Sequence, residues 1–247
     1  MVNKFSLSLG NFLFKHAFPV YRVVYPIFKM KQDKEEINFF KRTIQPGMTV
    51  LDIGANIGFY SKILADLVGE SGTIHSFEPD TVNFQRLVKS TSSLPQIKLV
   101  QKAVTDYSGV LKIYTSKMLN VDHRSYEVEE YDQVFEIPCV SIDEYLGVNN
   151  HVDIIKMDIQ GAEYTALKGM AHTLAANPHI QMLMEFWPYG LKSAGYSAIQ
   201  LFELIQGYGF SMFFTEGDKS LKINEKNINE YQEKPKDYYQ NILIKRQ

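Results

Sequence analysis

The stretch Val50 to Ser61, V-L-D-I-G-A-N-I-G-F-Y-S, constrains what this chain can fold into more than any other. Val50, Leu51 and Ile53 read as a short buried strand, Gly54 to Gly58 as a tight turn, and Phe59 to Val68 as a helix with Ser61, Leu64 and Ala65 at helical spacing. A strand that enters a helix through glycines brings backbone N–H groups and a short acidic side chain to one point, where a ligand approaches the main chain closely. That point is the expected cofactor site.

What the loop lacks narrows the choice of cofactor. A dinucleotide fingerprint, G-x-G-x-x-G, needs its second glycine so that the backbone can touch a pyrophosphate, and its third for close helix packing. Counted from Gly54, those places hold Asn56 and Phe59. Asp52, two residues before the first glycine, suits a cationic ligand better than a diphosphate. The pattern D-x-G-x-N-x-G resembles motif I of class I S-adenosylmethionine-dependent methyltransferases, whose cofactor carries an ammonium and a sulfonium and no phosphate. Taken alone, the pattern also fits an ordinary strand-to-helix turn of an α/β protein.

The chain has 247 residues, enough for one large α/β domain with a buried core and too few for two comfortable ones. A net charge of -2 gives no electrostatic case for a nucleic-acid partner. The single cysteine, Cys139, excludes an intrachain disulfide and fits a reducing, cytoplasmic compartment. No C-x-x-C or H-E-x-x-H spacing is present, so no metal site is expected. No uninterrupted apolar run approaches the roughly 20 residues of a membrane helix.

The first 32 residues are of another character. Lys4, Lys15, Arg22, Lys29 and Lys31 have no acidic counterpart there, and Phe5, Phe12, Phe14, Phe18, Tyr21, Tyr25 and Phe28 crowd between them. Gly10 and Asn11 interrupt the apolar region Ser6 to Phe14, and no small-residue cleavage site follows, so a cleaved signal is not expected. Two readings stand side by side. In one, residues 1–44 form a helical flap, broken by Pro19 and Pro26, that packs aromatics onto a main domain of residues 45–247. In the other, residues 1–32 make a peripheral membrane contact.

Farther along, Asp33 to Thr43 reads as a helix with Ile37, Phe40 and Ile44 on one face. Thr73 to Phe77 is a second strand, closed by Glu78-Pro79, and Asp80 caps a helix to about Ser90 with Val82, Leu87 and Val88 apolar. Glu78 lies 24 residues past Gly54, where α/β nucleotide folds place a carboxylate on ribose hydroxyls. Ile97 to Val104 is a third strand and Val110 to Thr115 a hairpin strand. Ser116 to Glu136 is acidic and aperiodic and reads as a loop, in which Asn120, Asp122, His123 and Arg124 are candidates to meet a substrate.

Ser141 to Glu144 has the spacing of a capping box opening a helix to Leu146. Val152 to Met157 is a strand ending in Asp158, Ala162 to Ala171 its helix, and His179 to Phe186 a strand carrying Glu185 near its end. Ala198 to Gly207 reads as helix, Phe210 to Thr215 and Tyr238 to Lys245 as strands, and Asn224 to Lys236 as linker-like. Strands alternating with helices predict a mostly parallel sheet wound on both faces. In such a sheet ligands bind beyond the carboxyl ends of the strands. Asp52, Glu78, Val104, Asp158 and Glu185 would then converge, and four of these are carboxylates. Like charges in a cleft are costly unless a sulfonium cofactor, a metal ion or a proton relieves them.

V-L-D-I-G-A-N-I-G-F-Y-S, F-E-P-D, A-V-T-D-Y-S-G, I-P-C-V-S-I-D-E and, above all, I-I-K-M-D-I-Q-G-A-E-Y-T-A-L-K-G-M resemble the FkbM family of methyltransferases over residues 45–215, in the family's order. The resemblance implies a Rossmann-like class I methyltransferase fold, S-adenosylmethionine as cofactor, and O-methylation of a small-molecule, sugar or glycan-type acceptor. It implies that Asp52, Gly54, Asn56 and Gly58 hold the methionine part, with Ala55, Phe59 and Ser61 completing the loop's contacts. Glu78 and Pro79 would serve the ribose, Ala103, Val104 and Thr105 the adenine edge, and Asp158 would lie next to the transferred methyl. Gln160 departs from the pattern, since the family usually has Glu there.

A hydroxyl is a weak nucleophile, and a carboxylate base is worth roughly 10²–10⁴-fold. Asp158 and Glu185 are the first candidates, with Glu163 and His123 behind them; Glu163 reads equally well as a first-turn carboxylate favoured by the helix dipole. Lys156 is expected to pair with a neighbouring carboxylate. Two alternatives stay open: an NAD-type oxidoreductase, which Asn56 and Phe59 disfavour, and a cofactor-binding protein without catalysis, which Gln160 keeps in view.

Overall fold

The computed structural model describes residues 10, 12–115, 123–124, 133–147, 151–216 and 219–246, of which 113–115, 123–124, 133–135, 215–216 and 219–220 are described in backbone alone. β1 (Thr49–Ile53) pairs in parallel with β2 (Thr73–Phe77), Val50 opposite Ile74, and β2 pairs in parallel with β3 (Ile97–Val100). The chain then builds a separate small sheet from β4 (Ala103–Val104), β5 (Gly109–Thr115), β6 (His123–Arg124) and β7 (Gln133–Val140). It returns to the other side of β1 with β8 (Ile154–Met157), followed by the parallel β9 (Gln181–Phe186). β10 (Ser211–Glu216), β11 (Lys219–Lys222) and β12 (Gln240–Lys245) complete an eight-stranded sheet of order β11-β10-β12-β9-β8-β1-β2-β3, with β12 antiparallel to both β9 and β10. The predicted α/β fold with a mostly parallel central sheet is present.

The middle strands are apolar on both faces because both faces are covered. Val50, Ile74, Ile154 and Leu183 point into one layer, with Leu64, Ala65 and Val68 of the helix Phe59–Val68 and Phe39, Phe40 and Ile44 from the helix Lys34–Thr43 and its end. Leu51, Ile53, Ile155 and Met157 point into the other, with Ala166, Leu167 and Leu201. Upstream, the helix Phe18–Gln32 packs Tyr21 with Phe14 against Ile57, in a small cluster of its own. Among the described residues no helix is long and apolar enough to cross a membrane.

Several expectations need correction. The predicted strand Ile97–Val104 is two strands in two sheets: Ala103 and Val104 pair with Cys139 and Val140 rather than continuing β3, a choice of neighbour that periodicity does not encode. The end of the acidic stretch, Gln133–Glu136, belongs to β7, paired with β5; of the residues singled out before it, Asn120 and Asp122 lie outside the described residues, and so do the side chains of His123 and Arg124. The helix predicted over Ala162–Ala171 divides into Glu163–Lys168 and Ala171–Ala176. At the break a Cβ on Gly169 would sit 2.0 Å from the Thr105 carbonyl oxygen, and Asp143 caps the second piece by accepting from the N–H groups of His172 and Thr173 at 2.9 and 2.8 Å.

The linker-like segment holds a helix, Glu225–Gln232, because Asn224 and Asn227 form a reciprocal capping box and Ile228 is buried. Pro19 opens the helix Phe18–Gln32, and Pro26 does not break it. The carbonyl left without its helical donor is that of Arg22, an exposed residue. Val82 and Val88 are exposed, since the buried stripe of their helix is Asn83, Leu87 and Thr91.

Candidate active site

β1 leads outward to β2 and β3, while its other neighbour, β8, leads to β9, so the chain reverses direction across the sheet between β1 and β8. The crevice beyond the strand ends at such a reversal is where open α/β sheets take ligands. The two turns that leave β1 and β8 touch there. Gly54 has φ +82°, and a Cβ on it would lie 1.9 Å from the Asp158 carbonyl oxygen, so only glycine allows the approach. Asn56 at φ 51° and Gln160 at φ 56°, one in each turn, are the non-glycine residues with positive φ among the described residues. Such conformations gather at functional sites, where surrounding contacts hold them.

Five consecutive N–H groups of the first turn are all engaged within the protein. Those of Gly54 and Ala55 donate to the Phe77 carbonyl at 3.0 and 2.9 Å, and that of Gly58 to the Ala55 carbonyl at 2.9 Å. Asn56 N–H donates to Glu78 Oε2 and Ile57 N–H to Asn56 Oδ1, each at 2.8 Å. A diphosphate, which is held by free N–H groups at this kind of turn, finds none along this run. Ala55 and Phe59 are buried, and the Phe59 ring meets Tyr25 of the N-terminal helix at 6.0 Å.

Glu78 leaves β2 directly opposite this turn. Its second oxygen, Oε1, accepts from Asp80 N–H at 3.0 Å across Pro79. Each oxygen accepts one backbone N–H and keeps a lone pair. Burial pushes the Glu78 carboxyl up to about 7, against the pull of the two N–H donors.

Asp52 has a different neighbour from the cationic ligand expected of it. It is fully enclosed, accepts from Ser61 Oγ at 2.6 Å through Oδ2, and has Lys156 Nζ 3.3 Å from Oδ1. Ser61 in turn accepts from Ser76 Oγ at 3.0 Å. Lys156 also donates to the Gly54 carbonyl at 2.9 Å, so the predicted pairing of this buried lysine fixes the base of the turn.

At the ends of β8 and β9 three carboxyl groups come together. Gln160 Nε2 donates to Asp158 Oδ1 at 3.1 Å and to Glu185 Oε2 at 3.0 Å. Burial raises the Glu185 carboxyl well above the ordinary range, and Asp158 and Glu163 add to the rise. Glu163 accepts from Ile159 N–H at 3.2 Å, while its other oxygen is buried without a hydrogen-bond partner. Burial pushes it up to about 7. Among the described residues no group of three or more His, Cys, Asp or Glu is placed to hold a metal ion.

Sequence reasoning missed a contact that ties the helix after the first turn to the N-terminal segment. Tyr60 donates to Asp33 Oδ2 at 2.7 Å, and Lys29 pairs with the same carboxylate at 2.5 Å. The contact spans 27 positions, so only the strongly aromatic composition of the N-terminal segment hinted at it. Ala103, Val104 and Thr105 are buried beside β7, where Thr105 N–H donates to the Val140 carbonyl, and Val104 shares the core cluster of Ile53 and Phe77 at the ends of β1 and β2.

The model of the family described as the methyltransferase FkbM domain matches residues 52–212. No curated protein matches the chain. The fold is similar to that of a protein from Clostridium thermocellum, named provisionally as an rRNA methylase, at TM-score 0.51 and 11% identity over 86% of this chain and 93% of that one. A SAM-dependent methyltransferase from Aquifex aeolicus gives TM-score 0.49 and 14% identity over 87% of this chain and 91% of that one. Methyltransferase FkbM from Methylobacillus flagellatus KT gives TM-score 0.45 and 14% identity over 91% of this chain, which spans 54% of that longer one. The family match covers well over half of the chain and every strand end just described, from Asp52 to Glu185: the chain belongs to the FkbM methyltransferase family.

Proposed function

We propose that this methyltransferase uses S-adenosylmethionine to methylate a hydroxyl of a small-molecule, sugar or glycan-type acceptor. The observation that carries the cofactor is the turn at Gly54 to Gly58, closed to a diphosphate by its own five hydrogen bonds and faced by Glu78. The same observation disfavours a nicotinamide dinucleotide. When bound, S-adenosylmethionine supplies a methyl group activated by a sulfonium. Glu78 would take the ribose hydroxyls on its remaining lone pairs, and Gly54 lets the turn carrying Asp158 come against the turn that would hold the ligand. The roles of Ala55, Asn56, Gly58, Phe59 and Pro79 follow from their place around that turn. Asp52 and Ser61 would act from behind it, by holding Lys156 under the Gly54 carbonyl.

The partly buried carboxyl groups of Asp158 and Glu185, with the buried Glu163 beside them, favour a cation between them and suit the proton that a hydroxyl must lose. Asp158 is the proposed base: it would take the proton that the acceptor hydroxyl gives up when it is methylated. Glu185, raised by burial, is held beside Asp158 by the Gln160 amide, which donates to both carboxyl groups and so fixes their positions. That bridge favours a working site over a purely binding one, because it holds Asp158 and Glu185 together where the usual glutamate would add a further carboxyl group.

The test is methyl transfer from isotopically labelled S-adenosylmethionine to soluble sugars, glycolipids and ribosomal RNA, with the methylated atom located by mass spectrometry and NMR. An O-methyl product on a sugar-type hydroxyl is expected. Methylation of RNA bases, or of carbon or nitrogen alone, would contradict the proposal.

A further inference from the structure

The helix Phe18–Gln32 has two apolar faces. Its inner face carries Phe18, Tyr21, Tyr25 and Lys29 at three- and four-residue spacing, and these meet Phe14, Ile57, Phe59 and Asp33. The opposite face carries Val20, Val23, Val24, Ile27 and Met30, which are 49% to 67% exposed, with Phe28 at its edge. A helix of a globular protein ordinarily turns one apolar stripe to the core and a polar one to water. Here the outward stripe is aliphatic through three turns, and contiguous exposed apolar surface marks an interaction site.

Charge indicates what covers it. Residues 1–32 contain five Lys and Arg and no Asp or Glu, in a chain whose net charge is -2. Lys15 before the helix, Arg22 on its flank and Lys31 at the C-terminal end of the stripe are exposed, while Lys29 turns inward to Asp33. A second copy of this face would set like charges against one another; an anionic lipid surface takes both the aliphatic side chains and the cations. We infer that the helix Phe18–Gln32 lies on an anionic membrane surface through Val20, Val23, Val24, Ile27 and Met30. The helix would lie flat with its inner face on Ile57 and Phe59, so the turn after β1 would be held near the bilayer interface. The inference stands independently of the cofactor and acceptor proposed above.

The test is co-sedimentation of the full chain with vesicles of phosphatidylcholine alone and of equal parts phosphatidylcholine and phosphatidylglycerol. Binding to the mixed vesicles is expected to be at least about tenfold tighter than to phosphatidylcholine and to weaken with salt. Val23→Glu with Ile27→Glu should lower it by at least about tenfold with the thermal midpoint unchanged, both sites being exposed. Arg22→Glu with Lys31→Glu should remove the preference for phosphatidylglycerol and leave the apolar face intact. Failure to sediment with mixed vesicles, or equal binding by the folded Val23/Ile27 variant, would overturn the inference. A dimer in light scattering that this variant splits, with no vesicle binding by the parent, would overturn it in favour of an interface between copies.

Discussion

The carboxyl groups of Asp158 and Glu185, at the ends of adjacent parallel strands, share one side-chain nitrogen: Gln160 Nε2 donates to both, at 3.1 and 3.0 Å. An amide does this without charge, and its two hydrogens match the two acceptors. Gln160→Glu would replace the donor by a further carboxyl group, which must hold a proton or bind a cation. The variant should lose about 1–3 kcal/mol of stability at pH 8. Magnesium should restore part of this loss and leave the parent unchanged, as thermal melts with and without the ion would show. A variant as stable as the parent without the ion would mean that the bridge contributes nothing.

Glu163 links burial to pH. Its folded pKa, about 7, lies above the ordinary 4.5, so the unfolded chain releases this proton first. Stability from this group is full below pH 4.5 and is lost as pH rises through 7, in total about 3 kcal/mol. Glu78 acts in the same direction. His75, lowered by burial from 6.5 to about 4, acts oppositely, its contribution being lost as pH falls from 6.5 to 4. Glu163→Gln keeps the acceptor for Ile159 and removes one acid, so denaturant titrations at pH 4.5 and 8 should show a gain of about 3 kcal/mol that develops only toward the higher pH. A constant difference at both pH values would contradict the assignment.

Asp158→Asn keeps an oxygen for the Gln160 amide and loses only basicity. Turnover on the acceptor found by labelling should fall by about a hundredfold or more. Affinity for S-adenosylhomocysteine should change far less, and a chelator should leave parental turnover unaltered. Equal turnover in parent and variant at saturating acceptor would remove Asp158 as the base.

Short-range signals made the centre of this fold legible. Val50 to Val68 declares strand, turn and helix within one run of residues, and Glu78 follows β2 at a spacing set by that unit. That Asp158 and Glu185 lie together is legible because strand ends in a parallel sheet share one edge. The unread parts depend on partners distant in sequence. Lys156 beneath Gly54 spans 102 positions, so the pairing of Asp52 with a lysine was expected of Lys156 only in general terms and was not foreseen for Asp52. Gly169 breaks its helix because Thr105 lies against it, and Asn224 caps a helix where a run of Asn, Glu and Lys resembles a linker. Neither fact leaves a period in the sequence.

The central claim is that the turn after β1 receives S-adenosylmethionine, with Glu78 as its ribose ligand. Calorimetric titration of the parent and of Glu78→Ala with S-adenosylhomocysteine and with NAD tests it most directly. The account predicts that the parent binds S-adenosylhomocysteine and not NAD, and that the folded variant binds it more weakly by about 1.5–3 kcal/mol, the range for a hydrogen bond to a charged group. Binding of NAD in place of S-adenosylhomocysteine, or undiminished affinity in folded Glu78→Ala, would contradict it.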